Sequence, residues 1–99
     1  MKGKFEQLIA TETPVLIDFY ADWCGPCQMM SPVLKELVNE SENKLKVIKI
    51  DVDNNQVIAQ RFGVRSIPTF ILFKKGEKLG TKAGVLTKRE LNQWVNPHL

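Results

Sequence analysis

The segment V15-L16-I17-D18-F19-Y20 constrains this chain more than any other. Six consecutive residues rich in β-formers, with no polar alternation, describe a strand covered on both faces, as in the central sheet of an α/β protein. A lone aspartate interrupts the run. Burying an unpaired carboxylate is costly, so Asp18 either faces water at a sheet edge or sits inside with a raised pKa. A few residues later, W23-C24-G25-P26-C27 places the only two cysteines of the chain three positions apart.

Around that strand the pattern is regular. Phe5, Leu8 and Ile9 fall at helical spacing ahead of Pro14, which predicts a short amphipathic helix. Cys27, Met30, Leu34, Leu37 and Val38 recur at three and four residues, so a helix follows the cysteines. Pro26 suits its first turn, and Pro32 is expected to kink it. Lys46–Val52 reads as a second buried strand, interrupted by Lys49. Asn54 or Asn55 can cap a short helix carrying Val57, Ile58 and Phe62, with Gly63 ending it.

Thr69–Phe73 is a third strand, K74-K75-G76 a tight turn, and Glu77–Ala83 a fourth strand with Leu79, Thr81 and Ala83 on one face. T87-K88-R89-E90 is a capping box opening a helix with Leu91, Trp94 and Val95, stopped by Pro97. The order α-β-α-β-α-β-β-α implies a parallel βαβ unit and a terminal antiparallel hairpin: a mixed sheet with helices on both faces.

A length of 99 residues fits one domain, residues 1–99, with a core that needs no staples. The first ten residues lack the apolar stretch of a secretory signal, and no run reaches the ~20 residues of a membrane span, so a cytoplasmic location is expected. Residues 74–90 carry six basic and two acidic side chains, within a chain of net charge +3. These lysines alternate with apolar residues as on a solvated face, so nucleic-acid binding is not expected.

Two thiols at i and i+3 lie on one face of a helix start, and a small disulfide can close across that turn. Unpaired N–H groups and the helix dipole favour thiolate over thiol at Cys24. Cys27, one turn inside, is expected to be the more buried of the two. An exposed activated thiol beside a sheltered one suits thiol–disulfide exchange, in which one attacks and the other resolves the mixed disulfide. Other readings are weaker. Zinc needs four ligands, and only His98 could join the two cysteines. A structural disulfide this short constrains little of the unfolded chain. Two inert core cysteines would not ordinarily flank Gly-Pro at a strand-to-helix junction. Asp18, six residues before Cys24, is a candidate proton acceptor for Cys27, with Lys49 of the next strand as its charge partner.

W23-C24-G25-P26-C27 closely resembles the thioredoxin family, and D18-F19-Y20-A21, Pro32, G63-V64-R65-S66-I67-P68-T69 and Gly84 extend the match over nearly the whole chain. The resemblance implies the thioredoxin fold, a central mixed four- to five-stranded sheet flanked by helices, and protein-disulfide reductase activity. By resemblance Cys24 is the nucleophile, Cys27 the resolving thiol, Asp18 the buried acid–base group and Lys49 the lysine near it. Ile67-Pro68 would be a cis peptide. Trp23, Gly25, Pro26, Ile67, Pro68 and Gly84 would form the apolar surface on which an extended client lies, pairing with the Ile67 backbone as an added strand does. Trp23 is expected to be half exposed. The resemblance further implies a monomer with no bound cofactor or metal, disulfide-containing client proteins, and an NADPH-dependent flavoprotein, thioredoxin reductase, as electron source.

Three departures stand out. Tyr20 occupies a position where many members carry tryptophan, and Gln28 one where lysine is common. Only 17 residues precede Asp18, so the usual first edge strand is expected to be shortened or missing, leaving four strands. A disulfide oxidase or isomerase on the same fold, and a redox-independent binding subunit, are the alternatives. Gly-Pro between the cysteines argues against the first, because oxidising relatives usually carry a histidine there.

Overall fold

A computed structural model describes residues 3–99. Helix α1 (Lys4–Ile9) leads into β1 (Val15–Tyr20), α2 (Gly25–Glu40), β2 (Lys46–Asp51), α3 (Gln56–Arg61), β3 (Thr69–Lys74), β4 (Glu77–Ala83) and α4 (Lys88–Val95). A 3-10 turn, Asn96–His98, absorbs Pro97 rather than stopping abruptly at it. The strands form one sheet in the order β2-β1-β3-β4. β1 is parallel to β2 and antiparallel to β3, and β3 and β4 form the hairpin. Lys75 and Gly76 both have positive φ, 54° and 81°, which is what a two-residue turn matching strand twist requires.

The two faces of β1 support separate cores. Leu16 belongs to a cluster with Met30, Leu34 and Leu37 of α2, Phe70 and Leu72 of β3, and Leu91 and Val95 of α4. Val15, Ile17 and Phe19 pack with Phe5 and Ile9 of α1, Ile50, Ile71 and Phe73. Period-two alternation along β1 therefore sends Leu16, Asp18 and Tyr20 toward α2 and the odd residues away from it. α2 continues through Pro32 to Glu40. The hairpin tip is tied to the α1–β1 link, because Lys75 N–H donates to the Thr11 carbonyl (2.9 Å) and Gly76 N–H to that of Ile9 (2.9 Å).

Several expectations need correction. β2 is not a buried strand: it ends at Asp51, lies at the sheet edge, and only Ile50 is buried. No strand among the described residues pairs with its outer side, so its side chains are covered by helices on the faces but not by a neighbour. Lys46 N–H donates to the Pro14 carbonyl (3.0 Å) and Val52 N–H to that of Tyr20 (2.9 Å). The alternating ladder thus leaves the backbone groups of Val47 and Lys49 directed outward.

Val57 is 80% exposed, because α3 turns Ala59 inward while Ile58 and Phe62 pack against the second cluster. Asn55 occupies the N-cap of α3 but makes no side-chain cap bond; its amide donates to the Asp51 carbonyl instead (2.9 Å). Gly63 (φ 65°) does end that helix: its N–H donates to Gln60 and that of Val64 to Ala59, a Schellman pair. On the other edge strand, β4, Leu79 is half-buried and Thr81 and Ala83 are exposed. The capping box at α4 is complete, with Thr87 Oγ1 accepting from the Glu90 N–H and Glu90 accepting from that of Thr87, both 3.0 Å.

Candidate active site

The end of β1 delivers the chain into a tight turn, Cys24 N–H donating to the Ala21 carbonyl (3.2 Å), and Cys24 becomes the N-cap of α2. Its Sγ accepts a hydrogen bond from the Cys27 N–H at 3.1 Å. That is the contact a helix N-terminus makes with an anion, with sulfur in place of oxygen. Pro26 sits in the first turn, where no N–H is needed. Cys24 and Cys27 form a disulfide with Cα atoms 5.2 Å apart.

The expected contrast in exposure is absent. Cys24 is 4% exposed and Cys27 5%. The closed disulfide tucks Cys24 against the Ile67 carbonyl, 3.8 Å from its Sγ, so both sulfurs pack with Ala21 and against Tyr20, Val52 and Ile67.

Beside the disulfide runs the peptide Ile67-Pro68, which is cis, as the resemblance implies. Pro68 is buried and Ile67 half-buried. The Pro68 carbonyl accepts from the Gly84 N–H (2.8 Å), and Gly84 has φ 91°, a conformation that excludes most side chains. Gly25 and Pro26 are exposed. Trp23 is more exposed than expected, at 71%, and is not loose: its Nε1–H donates to Asp53 Oδ2 at 2.8 Å. Asp53 is in turn fixed by its N–H, which donates to Asp51 Oδ1 (2.9 Å). Next to Trp23, a depression of about 190 Å³ is lined by Val52, Val64, Arg65, Ser66 and Ile67. Sequence reasoning misses Asp53 and the 64–66 segment as parts of this surface, since nothing local links residue 53 to residue 23.

On the α2 side of β1, Asp18 is 1% exposed, and its Oδ1 meets no hydrogen-bond donor. Burial pushes its carboxyl up to about 6, opposed by the positive charge of Lys49. Lys49 is the direct partner of Asp18 across the β1–β2 ladder. It forms no ion pair with Asp18; its Nζ lies 4.6 Å from the centroid of the Tyr20 ring. Tyr20, Asp22, Cys27, Gln28, Ser31 and Lys49 line a cavity of about 190 Å³ beside the inner cysteine. The sequence-derived residues thus gather into two groups: Trp23, Gly25, Pro26, Ile67, Pro68 and Gly84 around the disulfide, and, on the α2 side of the sheet, Asp18 with its ladder partner Lys49, which lines one cavity with Cys27. Among the described residues, no three His, Cys, Asp or Glu side chains come together as a metal site. No helix among them is long and apolar enough to cross a membrane.

A helix-capping cysteine bonded to a partner one turn on, at the end of a buried strand, defines a thiol–disulfide oxidoreductase. A family model described as Thioredoxin matches residues 1–97. The chain is 46% identical over 96 residues to thioredoxin from Haemophilus influenzae, covering 96% of this chain and 90% of that protein. It is 43% identical over 94 residues to thioredoxin from Rickettsia bellii, covering 95% and 90% respectively. Among solved structures, a mutant thioredoxin from Halobacterium salinarum aligns with a TM-score of 0.89 at 38% identity, over 99% of this chain and 85% of that one. Mitochondrial thioredoxin 3 from Saccharomyces cerevisiae, in its oxidised form, aligns at 0.86 and 36%, over 95% and 87%. The chain belongs to the thioredoxin family.

Proposed function

We propose that this protein is a cytoplasmic, monomeric redox carrier that reduces the disulfides of client proteins, with no bound cofactor or metal. Cys24 is the nucleophile. Its thiolate attacks one sulfur of a client disulfide, forming a mixed disulfide and releasing the other client sulfur as a thiolate, which takes a proton from water. Cys27 then gives its proton to the Asp18 carboxylate, directly or through water. The Cys27 thiolate attacks Cys24 Sγ, closes the internal disulfide, and releases the second client thiolate, which is protonated in turn. Two electrons pass from the dithiol to the client, whose thiolates take their protons from water, and Asp18 returns the Cys27 proton to solvent. A flavin-containing thioredoxin reductase, drawing on NADPH, restores the dithiol, as is usual for the family.

One observation carries the reading: the Cys27 N–H aimed at Cys24 Sγ from the first turn of α2. The same donor that meets sulfur in the disulfide stabilises a thiolate there after reduction. The exposed Trp23, Gly25 and Pro26, with Ile67, Pro68 and Gly84, would receive an extended client segment, whose backbone can pair with that of Ile67.

The test is to equilibrate the Cys24–Cys27 pair with defined thiol–disulfide buffers and to follow client reduction by Cys27→Ser. A strongly reducing midpoint and accumulation of a Cys24-linked mixed disulfide are expected. A midpoint at the oxidising end would point to disulfide formation or isomerisation instead, and full biological activity of a double Cys→Ser variant would point to a binding subunit.

A further inference from the structure

Lys49 lies across the ladder from Asp18, on the α2 side of the sheet. A lysine on an exposed edge-strand position ordinarily extends its ammonium into water, where hydration and chain entropy favour it. Here it does not. The Lys49 ammonium sits over the face of Tyr20, two residues beyond Asp18 on the same side of β1. A cation held at this range by a ring is biased toward that rotamer roughly 2- to 5-fold even at an exposed site.

We propose that Tyr20 is a positioning residue for the proton transfer at Cys27: its ring holds the Lys49 ammonium inward, within electrostatic reach of the Asp18 carboxyl and at the wall of the cavity beside Cys27. The inference rests on the role assigned to Asp18 above and adds a residue to it. Few charges surround the pair. β2 contributes Lys49 and Asp51, the turn after β1 contributes Asp22, and α2 contributes Cys27 and, in the groove it shares with Lys49, Lys35. β3 places only the apolar Phe70 beside Asp18. Asp51 is engaged elsewhere, since its carboxylate accepts from the Asp53 N–H and from Asn54 Nδ2. Lys49 is the cation whose field falls on Asp18. The Tyr20 hydroxyl stays protonated at neutral pH, because burial and the carboxylates of Asp22, Asp51 and Asp18 raise its pKa. The ring, not the hydroxyl, therefore does the holding.

The experiment is an NMR titration of the Asp18 carboxyl carbon in the reduced 99-residue protein, with the pH profile of mixed-disulfide resolution measured in parallel. Tyr20→Phe should leave the midpoint unchanged. Tyr20→Leu should raise it by ~0.5 pH unit or more, because the ammonium swings out and the buried carboxylate loses its counter-charge. Lys49→Gln should raise it at least as far, and adding Tyr20→Leu to Lys49→Gln should change nothing further. An unshifted midpoint in Tyr20→Leu, or effects of the two substitutions that add in full, would overturn the proposal. The unmutated protein supplies a check that does not depend on variants folding: the Lys49 Cε protons should be shifted upfield by the ring current, and random-coil shifts would also overturn it. The carboxyl titration reads the position of Lys49 whether or not Asp18 moves a proton in exchange. Unchanged resolution kinetics in Asp18→Asn would instead remove Asp18 from the mechanism, leaving the titration result to stand by itself.

Discussion

Replacing Asp18 with asparagine should stabilise the protein, and by an amount that depends on pH. In the fold the Asp18 carboxyl is pushed from 3.8 to about 6 by burial. The sign follows from proton binding. Below pH ~3.8 the carboxyl is protonated in folded and unfolded chains alike, and contributes no difference. Between ~4 and ~6 the unfolded chain releases its proton while the folded one keeps it, so stability falls as pH rises. Above ~6 the loss is complete and flat.

At about 1.36 kcal/mol per pH unit, the shift corresponds to a loss of about 3 kcal/mol at pH 8, of which only ~0.5 kcal/mol is felt at pH 4. The asparagine side chain of the variant has no charge to desolvate, so it escapes this loss. Its own cost is that of burying an amide where Oδ1 already lacks a donor, and that cost does not change with pH. Urea denaturation of the oxidised protein and of Asp18→Asn, at pH 4 and pH 8, separates the two effects. The variant should gain about 2–3 kcal/mol relative to the parent on going from pH 4 to pH 8. A stability difference equal at the two pH values would refute the claim that Asp18 is buried with a raised pKa.

Three further outcomes are expected. Phe19, fully buried and packed toward Phe62, should cost about 3–5 kcal/mol when cut to alanine, read as a lower denaturation midpoint at constant slope. Thr87→Ala removes one arm of the α4 capping box and should cost ~1 kcal/mol in the same assay. Gly84→Ala has open space for the methyl group but forces φ 91° on an L residue, so it should destabilise by ~1–2 kcal/mol through the backbone; a neutral result would mean that the loop re-forms.

Where a feature depends on a short stretch of chain, the sequence shows it. The V-L-I-D-F-Y run, the Pro26 helix start, the K75-G76 turn and the T-x-x-E box are local signals, and each element lies where its residues place it. β2 shows the limit. V-I-K-I is apolar enough for an interior strand, and whether a neighbour lies beyond it is a matter of topology. The burial of Cys24 is likewise invisible, because it follows from the closed disulfide and from Ile67, 43 residues away. The anchoring of Trp23 by Asp53 joins residues 30 apart in sequence, so neither its exposure nor its partner can be read locally. The cis bond at Ile67-Pro68 is legible only through family resemblance, as no property of the dipeptide alone selects it.

The outward backbone groups of Val47 and Lys49 give this sheet a docking rail that another strand could extend indefinitely. Lys46 and Lys49, both exposed, stand along that rail. A second copy approaching edge to edge would bring lysines of like charge alongside one another and would have to strip water from them. Lys49 thus matters twice: its charge acts on Asp18, and as an exposed lysine of an edge strand it disfavours growth of the sheet. A neutral, apolar residue there would remove the guard from the V-I-x-I stretch along with the charge that acts on Asp18.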